Sequence, residues 1–137
     1  MTIAEILKHI PLILVSLFTA ILFTQSGLDK VFNFNSNMEW LKGHFSKTFL
    51  APMTPMMVVT ITILEVATGL GTVIGLVYFL ATGLTTLIWY SAIAGAAALC
   101  GLFFGQRVAQ DYPGAAVLVP YFILQLILIY LSQPASV

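Results

Sequence analysis

Charged residues are scarce in this sequence, and their scarcity indicates the class of protein. Charged residues make up 7% of the chain and hydrophobic residues 60%, whereas an average soluble domain is about a quarter charged. The mean hydropathy is +1.04. A soluble chain of 137 residues has too much surface to cover with so few charges. The chain is therefore predicted to lie in a lipid bilayer, and its formal net charge of zero argues against a nucleic-acid partner.

Cysteine and histidine are nearly absent as well. The single cysteine, Cys100, has no partner for a disulfide within the chain and no second thiol for exchange, which excludes the membrane thiol oxidases. The two histidines, His9 and His44, lack the spacing of a metal or haem site. No metal site and no covalently bound cofactor are predicted.

Long apolar runs make up most of the chain, and a membrane-spanning helix needs roughly 20 such residues. The predicted spans lie at about residues 11–28, 56–77, 80–104 and 115–131. Because most of the links are short, neighbouring spans should be antiparallel. The first run is followed by Asp29 rather than by a cleavage site, so it should remain as a span. The predicted fold is an all-α integral membrane protein, with residues 1–137 forming one antiparallel four-helix transmembrane bundle.

The first connection, residues 35–51, is the longest. Leu41, Phe45 and Phe49 recur every four residues, and Trp40 is typical of a membrane interface. This pattern predicts a short interfacial helix, and an ordinary surface loop is the alternative.

Glu65 stands inside the second apolar run, roughly 14 Å deep at 1.5 Å per residue. A carboxylate at the middle of a membrane costs about 2.5–3.5 kcal/mol and is a functional candidate by default. Thr62, Thr68, Gly69 and Thr72 share its helical face. The alternative is a structural role, because membrane bundles also use polar residues to hold helices together.

The depths of other polar residues predict the partners of Glu65. Gln125 and Tyr90 lie near the middle of the fourth and third spans, and Ser91 follows Tyr90. We predict a cluster of these residues with Glu65 at the middle of the membrane.

Three residues at the end of the first span, Gln25, Ser26 and Lys30, should continue this cluster toward the first connection. Lys30 is expected near the interface, short of Glu65. A direct ion pair between them would need the first connection to fold inward.

Two short motifs resemble a known family. Gly27-Leu-Asp-Lys30-Val-Phe-Asn-Phe34 is similar to the signature that ends the first helix of the DoxX family. Leu64-Glu65-Val-Ala-Thr-Gly69 is similar to the glutamate–glycine run of the second helix in that family. The resemblance implies that Gly27, Lys30 and Glu65 are family-type positions. It links the chain to thiosulfate:quinone oxidoreduction, membrane redox or stress complexes and quinone-dependent respiratory chains.

We therefore expect an accessory subunit of a respiratory or redox membrane complex, with a quinone or a lipid as its small-molecule ligand. Quinone chemistry needs an electron source, and the chain has no evident flavin, haem or iron–sulfur ligands. Any oxidoreductase activity would need partner subunits. The alternatives are a purely structural or assembly subunit and, ranked last, a small oligomeric proton-coupled transporter.

The basic residues predict the orientation in the plasma (inner) membrane. Lys30, Lys42, Lys47 and Arg107 lie on the side of the first and third connections, and Lys8 lies on the side of the termini. The positive-inside rule places both termini on the outer side.

Overall fold

The computed structural model describes residues 1–137 and contains helices but no strand. The helices are α1 (Ile3–Lys8), α2 (Ile10–Phe32), α3 (Phe34–His44), α4 (Thr54–Thr82), α5 (Thr86–Val108) and α6 (Tyr112–Ser132). A 3₁₀ turn, Ala51–Met53, leads into α4. Four helices, α2, α4, α5 and α6, are long and apolar enough to cross a membrane. The predicted all-α membrane bundle is therefore confirmed.

The four long helices pack in chain order around one interior. Helix α2 packs on α4, α4 on α5 and α5 on α6, while α6 returns to α2. The interior holds many small and hydroxyl side chains, and large aliphatic side chains cover much of the outside. This arrangement suits lipid as the solvent, since small residues let helices approach closely and polar groups bond across helices. The whole predicted polar face of α4, from Thr62 to Thr72, is buried.

The turn between α4 and α5 lies later in the chain than the sequence indicated. The second span was predicted to end at about residue 77 and the third to begin at about residue 80, but α4 continues to Thr82. The helix ends where Gly83 adopts a φ of 78°, a left-handed conformation that glycine tolerates without steric cost. Residues 78–82 contain no comparable stop signal, so the apolar run stays helical to its end.

The first connection contains the predicted short helix, α3, but the helix is shorter than the apolar repeat. It ends at His44, so the repeat of Leu41, Phe45 and Phe49 is broken after its first member. Phe45 and Leu50 turn into the protein, whereas Phe49 is exposed. The segment after α3 therefore contributes two buried side chains to the end of the bundle.

The glycine-rich faces of the spans are used inside the chain. A side chain at Gly71 would collide with Ser91, and one at Gly75 would collide with Ile88. The G-x-x-x-G motif of α4 therefore packs against α5. This glycine face is thus occupied by α5 of the same chain.

Gly69 and Gly43 form a matched pair for testing close helix packing. A Cβ on Gly69 would lie 2.6 Å from the backbone nitrogen of Thr24, whereas a Cβ on Gly43 meets nothing within 4 Å. Gly69→Ala should lower the free energy of unfolding by about 1–3 kcal/mol, because a backbone atom cannot move aside cheaply. Gly43→Ala should be neutral or stabilise by up to about 1 kcal/mol. Unfolding in mixed detergent micelles measures both, and equal losses would contradict this packing.

Candidate functional site

A buried ion pair joins α2 to α4. The Nζ of Lys30 lies 2.8 Å from Oε2 of Glu65, and the two side chains are 16% and 3% exposed. Ser26 connects the same two groups. Its hydroxyl donates to Oε2 of Glu65 at 3.2 Å and accepts from Nζ of Lys30 at 3.1 Å. The expectation that Lys30 falls short of Glu65 is therefore wrong.

Two features of helix geometry bring Lys30 to Glu65. Gly27 of α2 lies beside Val66, and Thr24 lies beside Gly69, so α4 begins about two turns beyond the end of α2. Lys30 is thus deeper than its place near the end of α2 suggests. Side chains on a helix also lean toward its N-terminus. In this antiparallel pair the side chain of Lys30 leans along the bundle axis toward the terminal side. The side chain of Glu65 leans along the same axis toward the first connection, so the two charges converge.

The glycines of the two motifs allow the helices to approach at this point. An added Cβ on Gly27 would lie 2.9 Å from Cγ2 and 3.0 Å from the backbone nitrogen of Val66. Gly69 is equally crowded by Thr24. Each charged residue therefore has a glycine one turn away on its own helix, and the two glycines keep α2 and α4 close enough for the ion pair.

A cavity of about 70 Å³ lies beside the ion pair, between the first connection, α4 and α5. Its walls are mostly apolar and include Phe45, Ile61 and Leu102, while Lys30 and Gln106 are polar members. Lys30 is the only charged residue among those that line the cavity. Phe45 contributes to the wall from the first connection and packs over Gly105 of α5.

A second polar cluster fastens the first connection to the third. Nε2 of His44, at the end of α3, lies 2.9 Å from Oε1 of Gln106 and 3.8 Å from Oδ2 of Asp111. The ring of Trp40 stacks on His44 with the centroids 4.6 Å apart. Sequence reasoning missed this cluster. The available signal was the presence of polar residues in two connections that an antiparallel bundle places on the same side.

The predicted cluster at the middle of the membrane does not form around Glu65. Gln125 is 1% exposed, but its Nε2 donates to Oγ1 of Thr19 at 3.0 Å. Its Oε1 faces Gly95 at the level of Thr68, about one turn beyond Glu65. Gln125 therefore joins α6 to α2 and makes no hydrogen bond to Glu65.

Tyr90 and Ser91 also lie apart from Glu65. Tyr90 is 61% exposed on the outside of α5. The hydroxyl of Ser91 donates to the carbonyl of Leu87 at 2.8 Å. The span was predicted to begin at about residue 80, but α5 begins at Thr86. Both residues therefore lie in the first two turns of α5, nearer to the terminal side of the bundle than predicted.

Gln25 points away from the ion pair and is exposed, unlike Ser26 next to it. It therefore does not continue the cluster around Glu65 as predicted, and the polar residues that follow it on the outside of the bundle bond to one another. Nδ2 of Asn33 donates to Oδ1 of Asp29 at 2.9 Å, and Asn37 donates to the carbonyl of Asn33 at 3.0 Å. These bonds connect α2 to α3 on the outside of the bundle. Of the predicted site residues, the structure brings together Glu65, Lys30 and Ser26.

Four apolar helices, with an ion pair buried between the first two, define a multi-pass α-helical membrane protein. No three histidine, cysteine, aspartate or glutamate residues are grouped so that they could hold a metal ion. The model of the DoxX family matches residues 12–98, well over half of the chain, and the protein belongs to this family. The match includes the ion pair, its two glycines and the polar face of α4. No curated protein and no solved structure matches the chain.

The ion pair makes a clear prediction for stability. Lys30→Met leaves the carboxylate of Glu65 buried without its partner and should lower the free energy of unfolding by about 3–5 kcal/mol. The double variant Lys30→Met/Glu65→Met removes both charges and should recover most of that loss, because no unpaired charge remains.

Unfolding in mixed detergent micelles compares the single variants with the double variant. The matched control is Asp29→Asn, which removes a carboxylate of α2 that lies outside the ion pair. It should change the free energy of unfolding much less. Additive losses in the double variant would contradict energetic coupling of Lys30 and Glu65.

Proposed function

We propose that this DoxX protein is an accessory subunit of a quinone-linked redox complex in the membrane, and that it binds the head of a quinone or a lipid beside Lys30 and Glu65. The observation that carries the proposal is the buried ion pair, whose Lys30 lines an apolar cavity. A mostly apolar cavity with a few convergent polar groups is the usual form of a small-molecule site.

The cost of burying charge supports a functional role for the pair. Apolar residues of similar volume would join α2 and α4 equally well or better, since a buried ion pair often does not repay its desolvation. Ionisable groups inside a membrane mark ligand and proton pathways more often than simple packing sites. Glu65 and Lys30 could exchange protons with a bound molecule, because each carries a group that gains or loses a proton.

The electrons for such a reaction would come from a partner. The chain has one cysteine, so it lacks the cysteine set that holds an iron–sulfur cluster, and it has no evident flavin or haem ligands. The large aliphatic side chains on the outside of the bundle provide surface for lipid and for a larger membrane protein. A subunit that binds the ligand while a partner supplies the electrons is an accessory subunit.

A structural role is the second candidate, and one observation favours it. Ser26, Lys30 and Glu65 form three contacts between α2 and α4 or within α2, which is also how polar groups hold membrane helices together. The two candidates predict different activities for a complex that stays intact after Glu65 is replaced. A binding role predicts a loss of quinone-dependent activity, and a structural role predicts none.

Purification from the native membrane in mild detergent, followed by mass spectrometry, tests the proposal. We expect subunits that carry flavin, haem or iron–sulfur clusters to copurify in a fixed ratio. Glu65→Gln should lower the quinone-dependent activity of the purified complex at least tenfold with the subunit ratio unchanged, whereas the control Asp29→Asn should retain it. Isolation of the chain alone would refute the redox complex, and full activity in Glu65→Gln would favour the structural role.

We also propose that the protein lies in the plasma (inner) membrane with both termini outside. Lys30 is engaged with Glu65, so its charge does not count toward the orientation. Lys42, Lys47 and Arg107 still outnumber Lys8, the basic side chain on the terminal side.

Labelling of intact cells with a membrane-impermeant maleimide checks the orientation in a Cys100→Ala background. Ser136→Cys should react from outside, and Lys47→Cys should react only after the membrane is opened. The reverse pattern would place the termini in the cytoplasm.

A further inference from the structure

We infer that the cavity beside Lys30 selects a neutral oxygen, a hydroxyl or a carbonyl on an apolar molecule, and rejects anionic head groups. The inference rests on the proposed function, which leaves open a quinone or a lipid, and it specifies the chemistry that either ligand must share. It follows from the charge balance, the unused hydrogen-bonding capacity and the size of the site.

The charge balance of the site excludes an anion. Lys30 is the only charged residue that lines the cavity, but its ammonium is already neutralised by Glu65 at 2.8 Å. An anion bound to Lys30 would also meet the nearby carboxylate. The attraction and the repulsion nearly cancel, so nothing repays the cost of removing the anion from water. A neutral oxygen has a much smaller desolvation cost, which a hydrogen bond offsets.

Both members of the ion pair retain unused hydrogen-bonding capacity. A lysine ammonium has three donors, and Lys30 uses one on Glu65 and one on Ser26. Both contacts to Glu65 are made at Oε2, and Oε1 accepts no hydrogen bond from the chain. Of the two residues, only Lys30 lines the cavity, so a hydroxyl or a carbonyl oxygen bound there would accept a hydrogen bond from its remaining donor.

The size of the cavity indicates how the molecule is accommodated. About 70 Å³ is enough for an oxygen and a few neighbouring atoms, but an engineered apolar cavity that binds benzene measures about 150 Å³. A ring therefore fits only if part of the wall moves, and Phe45, which packs over Gly105 from the first connection, is the aromatic member of that wall. Phe45 directly follows His44, whose contacts to Gln106 and Asp111 fasten this segment to the third connection.

Binding of three amphiphiles with the same chain length tests the inference in dodecyl maltoside micelles. The probes are 2-decyl-1,4-hydroquinone, 1-monodecanoylglycerol and decyl phosphate, and native mass spectrometry measures their relative affinities. The unmodified protein should bind the hydroquinone at least tenfold more tightly than decyl phosphate. Tighter binding of decyl phosphate would overturn the inference.

Glu65→Gln provides the sharpest variant, because it removes the carboxylate and leaves the ammonium uncompensated. The preference should then shift toward decyl phosphate by at least tenfold, whereas the control Asp29→Asn should keep the original order. An unchanged order in Glu65→Gln would also overturn the inference.

The double variant Lys30→Met/Glu65→Met keeps the test decisive if Glu65→Gln does not fold. It lacks both hydrogen-bonding groups and should bind the hydroquinone at least tenfold more weakly than the unmodified protein. Unchanged affinity would show that the ion pair does not hold the ligand, against the inference.

The outcomes separate this inference from the proposed function. Equal binding of the hydroquinone and monodecanoylglycerol, with no redox subunits in the purified material, would support the neutral-oxygen site and refute the quinone-linked role. Preference for decyl phosphate in a protein that copurifies with redox subunits would refute the neutral-oxygen site and support the association with a redox complex.

Discussion

The close approach of α2 and α4 is the constraint on which the rest of this protein depends. A carboxylate deep in an apolar bundle needs a partner, because its desolvation is costly. Lys30 supplies that partner only because the two helices are nearly in backbone contact at Gly27 and Gly69. The motifs that resemble the DoxX signatures thus combine two requirements at one place. The charged residues form the ion pair, and the glycines set the helix separation that makes it possible.

The placement of polar and small residues inside the bundle also determines what remains for the outside. The space beside the glycines of α4 and α5 is filled by residues of the same chain, such as Ser91, Ile88 and Phe45. The outer surface is left with large aliphatic side chains, which suit lipid tails and the apolar surface of another membrane protein equally. Recognition of a particular small molecule must therefore come from the few polar groups that reach a cavity, and Lys30 is the charged one.

The first connection links the ion pair to the membrane surface. Phe45 contributes to the wall of the cavity, and its neighbour His44 is held by groups from the third connection. At the other end of α3, Asp29, Asn33 and Asn37 tie the helix to α2. The segment is thus held at both ends, and its residues Leu41 and Phe45 line the cavity next to Lys30. The proposed binding of a ring depends on the movement of this segment.

The sequence by itself determined that the chain lies in a lipid bilayer, how many spans it has and which face of α4 is buried. Hydrophobic periodicity reports which residues share a face, and the face from Thr62 to Thr72 was predicted in full. The ion pair, the separation of Gln125 and Tyr90 from Glu65, and the contacts of His44 were decided only by the tertiary structure. The offset between α2 and α4 along their axes is set by packing at Gly27 and Gly69, and periodicity carries no information about such an offset. The depth of a side chain therefore could not be obtained by counting residues from the predicted end of its helix.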